Sequence, residues 1–273
     1  MHAEGVTDSN SSWTGMVPVD DTALAVTDTG GPGRPVIYLN GQFASQAYWR
    51  QVIAELGSDY RHITYDMRAR GRSRRSAAAA SFETHVRDVG SVLAARGVDR
   101  ALVVGWSYGA AVAVHWAGRN PDRALGVVPV DGAYPHDYPD APPERVRQWW
   151  RRLRWLLPVL SRLGMAAKMS AEQHAQSNIE LIEISAALGP ILDGATCPVR
   201  YVVATGANLG GGHDEMESAR ATLTPVLVRN PNIKVSAKVA SNHSKIVRKD
   251  FRAIADAVRE LAGAPRSRGR QSR

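Results

Sequence analysis

The sequence predicts an α/β fold: a mostly parallel central sheet flanked by helices, interrupted by one helical insertion. Three observations carry this. Short apolar, β-rich runs alternate with helical patterns along most of the chain. The runs near the middle, such as "RALVVGW", are continuously apolar, as strands covered on both faces must be. The alternation lapses once, between about Tyr138 and Thr196, where only helical periodicity remains.

The elements follow in order. "MVPVDD" and "TALAVTDTG" read as an antiparallel pair, and "PVIYLNG" (Pro35 to Gly41) as a buried strand ending in a loop. "QAYWRQVIAELGS" is helical and "RHITYDM" is a strand. "SFETHVRDVGSVLAARG" reads as a helix capped by Ser81, with Glu83 and Thr84 in its first turn. "RALVVGW" is the next strand, "YGAAVAVHWAGRNP" a helix stopped before Pro121, and "ALGVVPVDG" a strand. The insertion holds "PPERVRQWWRRLRWLLPVLSRLGM" and "SAEQHAQSNIELIEISAALGPIL". Then come a strand "PVRYVVATG", a helix "DEMESARATLTPVLVRN", a strand "NIKVSAKVA" and a closing helix "SKIVRKDFRAIADAVRELAG". The expected organisation is a core of residues 13–137 and 197–263, a helical cap of 138–196, and disordered tails at 1–12 and 264–273.

Composition bounds the function classes. A chain of 273 residues with 44% hydrophobic and 22% charged residues reads as an ordinary globular domain with a sizeable core. No apolar run reaches the roughly 18 residues of a membrane span, and the polar start does not read as a secretory signal. With Cys197 as the one cysteine, a cytoplasmic location is the expectation. The net charge of +8 gathers in the tail "APRSRGRQSR" and in "ERVRQWWRRLRW", Glu144 to Trp155. No nucleic-acid motif accompanies it, so nucleic acid is not an expected partner. The plainer reading of the basic cap face (Arg145, Arg147, Arg151, Arg152, Arg154) is a solvated surface; contact with an anionic membrane, a carrier protein or an acidic substrate is the alternative.

Chemistry concentrates at Gly105-Trp106-Ser107-Tyr108-Gly109, a G-x-S-x-G pattern between a buried strand and a small-residue helix. A strand-to-helix turn this sharp needs small neighbours, which Gly105, Gly109, Ala110 and Ala111 supply. It places the Ser107 hydroxyl above the sheet, at a helix N-terminus that favours developing negative charge. A serine hydroxyl is a weak nucleophile and needs a base with an orienting partner. His243 has the right address, in the loop after the last strand; loops at strand C-termini gather on one edge of such a sheet. The other histidines fall elsewhere: His2 near the start, His62 at the wrong end of a strand, His85 and His115 within helices, and His136, His174 and His213 in the cap region or a loop.

The acid has two candidate positions. Asp131 leaves the strand "GVVPVDG", where a rigid backbone can hold an imidazole. Asp214 is the runner-up, beyond three glycines in the loop after "PVRYVVATG". The backbone N–H groups of Tyr108 and Gln42 are the candidate oxyanion donors. Phe43, Trp106, Trp149, Trp150 and Trp155 are the candidate walls of an apolar substrate pocket.

Together these residues resemble the α/β-hydrolase superfamily over about Met16 to Gly263. "LNGQFASQAYW" is similar to its oxyanion loop, with Asn40 where histidine is common. "YDMRARGRS" is similar to its Asp-x-x-Gly-x-Gly-x-Ser segment, with Ala69 at the first glycine; "SNHSK" holds the histidine. The order Ser, acid, His matches the superfamily. Its branches with the acid at the end of the strand before the cap include many haloalkane dehalogenases and the zearalenone lactonases, and Asp131 matches that position. The resemblance implies a serine hydrolase for a carboxylic ester, lactone or thioester with a hydrophobic acyl group, without cofactor or metal. Dehalogenases and α/β epoxide hydrolases carry an aspartate at the elbow, which Ser107 does not match. The alternatives are carbon–carbon bond hydrolysis, peroxidase-like chemistry, or a binding protein on the same fold.

Overall fold

The computed structural model describes residues 11–138, 142–163, 166–206 and 213–263. Residues 1–10 of the expected tail 1–12, the expected tail 264–273 and the loop at 207–212 lie outside the described residues. Eight strands form one sheet: β1 (Trp13–Val19), β2 (Thr22–Asp28), β3 (Arg34–Leu39), β4 (Tyr60–Tyr65), β5 (Ala101–Trp106), β6 (Ala124–Val130), β7 (Val199–Ala204) and β8 (Ile233–Val239). Their spatial order is β1-β2-β4-β3-β5-β6-β7-β8. The hairpin β1–β2 is antiparallel, and β2 meets β4 antiparallel; every other pairing is parallel.

Both faces of the sheet are covered, and β5 shows why its sequence reads as one apolar run. All six of its residues are buried. Ala101 and Val103 enter a core with α2 (Phe82–Ala95) and α3 (Tyr108–Arg119). Leu102, Val104 and Trp106 point the opposite way. They pack into a core with α1 (Arg50–Leu56) and α11 (Phe251–Ala262).

Among the described residues between β6 and β7 lie four helices: α4 (Pro143–Leu153), α5 (Leu157–Arg162), α6 (Ala171–Ala186) and α7 (Gly189–Asp193). Ser170 opens α6 through a capping box with Gln173. Leu188 and Leu192, at α7, return to the core and are fully buried. Between β7 and β8 the chain forms α8 (His213–Ala221) and α9 (Leu223–Arg229), and before α11 a short α10 (Ile246–Lys249).

Three expectations change. Ser81 stands at the N-cap of α2 but its side chain caps nothing. The Phe82 N–H instead donates to the Glu180 carboxylate of α6 at 2.7 Å, which ties the insertion to the core. The single helix expected after β7 is two, broken at Thr222, and the closing helix is broken at Asp250.

The parallel strands end at the elbow, where backbones approach closely. A methyl group at Gly105 would collide with the Gly109 carbonyl and lie 2.7 Å from the Ala110 nitrogen. One at Gly109 would meet the carbonyls of Leu39 and Asn40. Because these contacts are backbone, nothing flexible can yield. We expect Gly105→Ala to cost about 1–3 kcal/mol or more, read as a lowered thermal midpoint, whereas Gly189→Ala, which meets nothing, leaves the midpoint near wild type.

Candidate active site

Ser107 sits between β5 and α3 with φ 55° and ψ −117°, a conformation that costs free energy for a residue with a side chain. The turn is held from outside: the Ser107 N–H donates to the Val130 carbonyl at 3.1 Å. Gly132 lies against the Ser107 backbone so closely that a Cβ there would sit 2.6 Å from the Ser107 carbonyl oxygen.

One residue from a distant part of the chain meets this hydroxyl, and a second meets that residue in turn. His243 Nε2 lies 2.9 Å from Ser107 Oγ. His243 Nδ1 lies 2.9 Å from Asp131 Oδ2. An ionised carboxylate only accepts, so Nδ1 carries the proton and Nε2 presents its lone pair to the serine hydroxyl. The ring is further placed by Trp106, whose indole N–H donates to the His243 carbonyl at 3.1 Å.

Asp131 is completely buried, at the end of β6, with φ 40°. Burial alone would raise its pKa. The bonds from His243 and Arg220 outweigh that and hold the carboxyl down at about 2. Arg220 of α8 is bidentate, with Nε 3.0 Å from Oδ1 and Nη2 2.9 Å from Oδ2. The Tyr134 hydroxyl donates to Oδ1 at 2.9 Å and the Ala204 N–H at 3.2 Å. Five donors therefore surround one carboxylate. Sequence reading missed Arg220 and Tyr134. Tyr134 is three residues from Asp131 and was findable as a local partner; Arg220 is 89 residues away, and only the fold brings it there. Asp214, the alternative acid, falls on a stretch of α8 whose side chains lie outside the described residues.

Gln42 and Tyr108 flank the serine as expected, Gln42 in the loop after β3 and Tyr108 as the first residue of α3. The loop is fastened through Asn40, whose side-chain amide donates to the Tyr65 carbonyl and accepts from the Trp49 indole, both at 2.8 Å. The Gln42 carbonyl accepts from Arg70 Nε at 2.8 Å, and the Gln42 side chain reaches Ser177 Oγ on α6 at 3.3 Å.

A groove of about 490 Å³ opens over Ser107, lined by Gly41, Gln42, Phe43, Ala44, Tyr48, Trp106, His243 and Ser244. Phe43 and Trp106 thus stand where expected. Trp149, Trp150 and Trp155 do not line it. Trp149 and Trp155 are 54% and 72% exposed. Consecutive residues on a helix point about 100° apart, so only Trp150 of α4 turns inward. It stacks on His174 with ring centroids 4.4 Å apart.

This fold is one already known among solved proteins. A family model described as "alpha/beta hydrolase fold" matches residues 34–162. The chain has the α/β-hydrolase fold. An enol-lactonase from Burkholderia xenovorans superposes with a TM-score of 0.66 at 19% identity, covering 91% of this chain and all of that one (100%). At that identity the likeness is one of fold. Among curated relatives, a haloalkane dehalogenase from Mesorhizobium japonicum is 30% identical over 112 residues, 41% of this chain and 36% of its own. An epoxide hydrolase B from Mycobacterium tuberculosis is 37% identical over 109 residues, 39% of this chain and 31% of its own. The matches span about a third of the length of these relatives. Among the described residues of this chain, no helix is long and apolar enough to cross a membrane.

The depressed pKa of Asp131 makes a stability prediction. A carboxyl held below its ordinary 3.8 stabilises the fold above about pH 4, and that stabilisation is lost as pH falls through about 2. Arg220→Met removes the bidentate partner and leaves a buried charge poorly compensated, at a cost on the order of 3 kcal/mol at neutral pH. Urea denaturation should show that deficit shrinking between pH 4 and pH 2. A constant deficit across that range would show that Arg220 contributes by packing alone.

Proposed function

We propose that this protein is a cofactor-free serine hydrolase of carboxylic esters, lactones or thioesters with an apolar acyl group. The observation that carries the reading is the unbroken chain Ser107 Oγ, His243 Nε2, His243 Nδ1, Asp131 Oδ2, with both links at 2.9 Å. His243 takes the hydroxyl proton as Ser107 Oγ attacks the carbonyl carbon. Asp131 keeps the ring in the needed tautomer and stabilises the imidazolium that forms. The backbone N–H groups of Tyr108 and Gln42 are the donors for the oxyanion. Collapse expels the alcohol, thiol or lactone oxygen, which takes the proton back from His243. A water, deprotonated by His243, then attacks the acyl-serine and frees the acid.

The relatives named for dehalogenation and epoxide opening do not transfer their chemistry on this reading. An alkyl carbon attacked by Ser107 would remain as an ether, which a following water does not cleave. An acyl carbon becomes an ester, which it does. Serine at the elbow therefore favours carbonyl substrates, and the aromatic groove of Phe43, Tyr48 and Trp106 suits an apolar acyl or aryl group. The helices between β6 and β7 act in this reading as the cap that closes over the site.

A fluorophosphonate probe separates this reading from a binding protein on the same fold. We expect covalent labelling of wild type and none of Ser107→Ala; an unlabelled wild type would remove the hydrolase reading. On a panel of p-nitrophenyl esters, thioesters and lactones, Asp131→Asn should lower kcat/KM by about 10³–10⁴-fold. Asp214→Asn should stay within about threefold of wild type; the reverse ranking would move the acid to the later loop.

A further inference from the structure

Four arginines are buried among the described residues: Arg61, Arg68, Arg70 and Arg96. Three have carboxylate partners. Arg61 and Arg96 share Asp28, and Arg68 pairs with Asp88, Asp20 and Asp21. Arg70, 2% exposed, forms no ion pair with a described residue. Its donors meet the backbone carbonyls of Gln42 at 2.8 Å, Arg68 at 2.8 Å and Ala79 at 3.3 Å, while His85 Nε2, 3.4 Å away, itself donates to the Ala79 carbonyl at 3.0 Å. These acceptors are neutral and do not cancel its charge. One nitrogen, Nη2, is buried with no partner.

The polar atoms around it are also poorly satisfied. The Tyr108 hydroxyl meets Ser177 and the His174 ring meets the Ala167 carbonyl only in poor hydrogen-bond geometry, and His85 Nδ1 is buried with no partner. Arg70 lies 6.0 Å from the Tyr108 ring centroid, and its charge acts on His85 and His174 as well. Burial, then Arg70, keeps both imidazoles neutral, His174 down at about 4. Unpartnered buried polar groups are costly, and a buried cation without an anion more so. Their gathering in one place asks for a missing partner with negative charge and several acceptor sites.

The location supplies the role. Tyr108 is the residue after Ser107, and Arg70 holds the carbonyl of Gln42 in the wall of the groove. His174 and Ser177 close the cluster from α6, with His174 stacked on Trp150 and 5.8 Å from the Phe43 ring. We propose that this cluster seats a carboxylate on the substrate, so that the preferred acyl group is that of a dicarboxylic half-ester or an acid-bearing lactone. Arg70 Nη2 pairs with the carboxylate, and Tyr108 and His174 donate the further hydrogen bonds. The proposal rests on the hydrolase reading only for the carbonyl at Ser107.

The test compares kcat/KM for p-nitrophenyl half-esters of succinic, glutaric and adipic acid with neutral p-nitrophenyl esters of matched length. For at least one length we expect the half-ester to be preferred by about tenfold or more, the effect of one charge-assisted contact. Arg70→Met should bring that ratio to about one, and Arg70→Lys should keep part of it. A neutral preference at every length, or an unchanged ratio in Arg70→Met, overturns the proposal and assigns the cluster to buried water. Calorimetric titration of Ser107→Ala protein with monomethyl glutarate and with methyl valerate reads binding apart from turnover. Tighter binding of the half-ester supports the carboxylate seat even where no ester is hydrolysed, an outcome that would refute the hydrolase reading alone. Equal or no binding of the two overturns the seat.

Discussion

A carboxylate with no access to solvent sets the terms for the rest of the site. Asp131 is buried at the end of β6, and a charge in that position persists only where donors surround it. The fold meets the requirement from four directions: Tyr134 just downstream, the Ala204 amide at the end of β7, Arg220 from α8, and His243 from the loop after β8. Each of these segments is positioned partly by that one anion. The reach of α8 back toward β6 and the placement of the His243 ring are thus two consequences of the same electrostatic demand.

The second constraint is steric. Ser107 reaches its conformation because β5, α3 and the loop after β3 pack backbone against backbone at Gly105 and Gly109. Gly132 adds a third close contact, from the very segment that carries Asp131. Ser107 and Asp131 are therefore not set independently. The bond from the Ser107 N–H to the Val130 carbonyl joins them across adjacent parallel strands, and the imidazole bridges what the sheet has already aligned.

Much of this was legible in the sequence, for identifiable reasons. Strands covered on both faces read as unbroken apolar runs, so β5 and the elbow after it were plain. His243 was found by topology, because loops at one sheet edge converge. Side-chain partnerships across long separations were not legible. Nothing in periodicity couples Arg220 to Asp131, or Glu180 to the first turn of α2, where Ser81 looked sufficient. The tryptophans of α4 and the following turn failed for a related reason. Composition marks them as apolar surface, but the angle around the helix decides that Trp150 is inside while Trp149 is out.

The charges around Ser107 also have a sense of direction. On one side, the negative charge of Asp131 is met by the bidentate Arg220, so its field on the imidazole is moderated. On the other, Arg70 stands behind the Gln42 peptide with no described carboxylate to offset it, and α3 points its N-terminus toward the serine. Both contributions make the Gln42 side of Ser107 more favourable for negative charge. On the proposed hydrolase reading, this is the side that favours the charge developing during attack on a carbonyl.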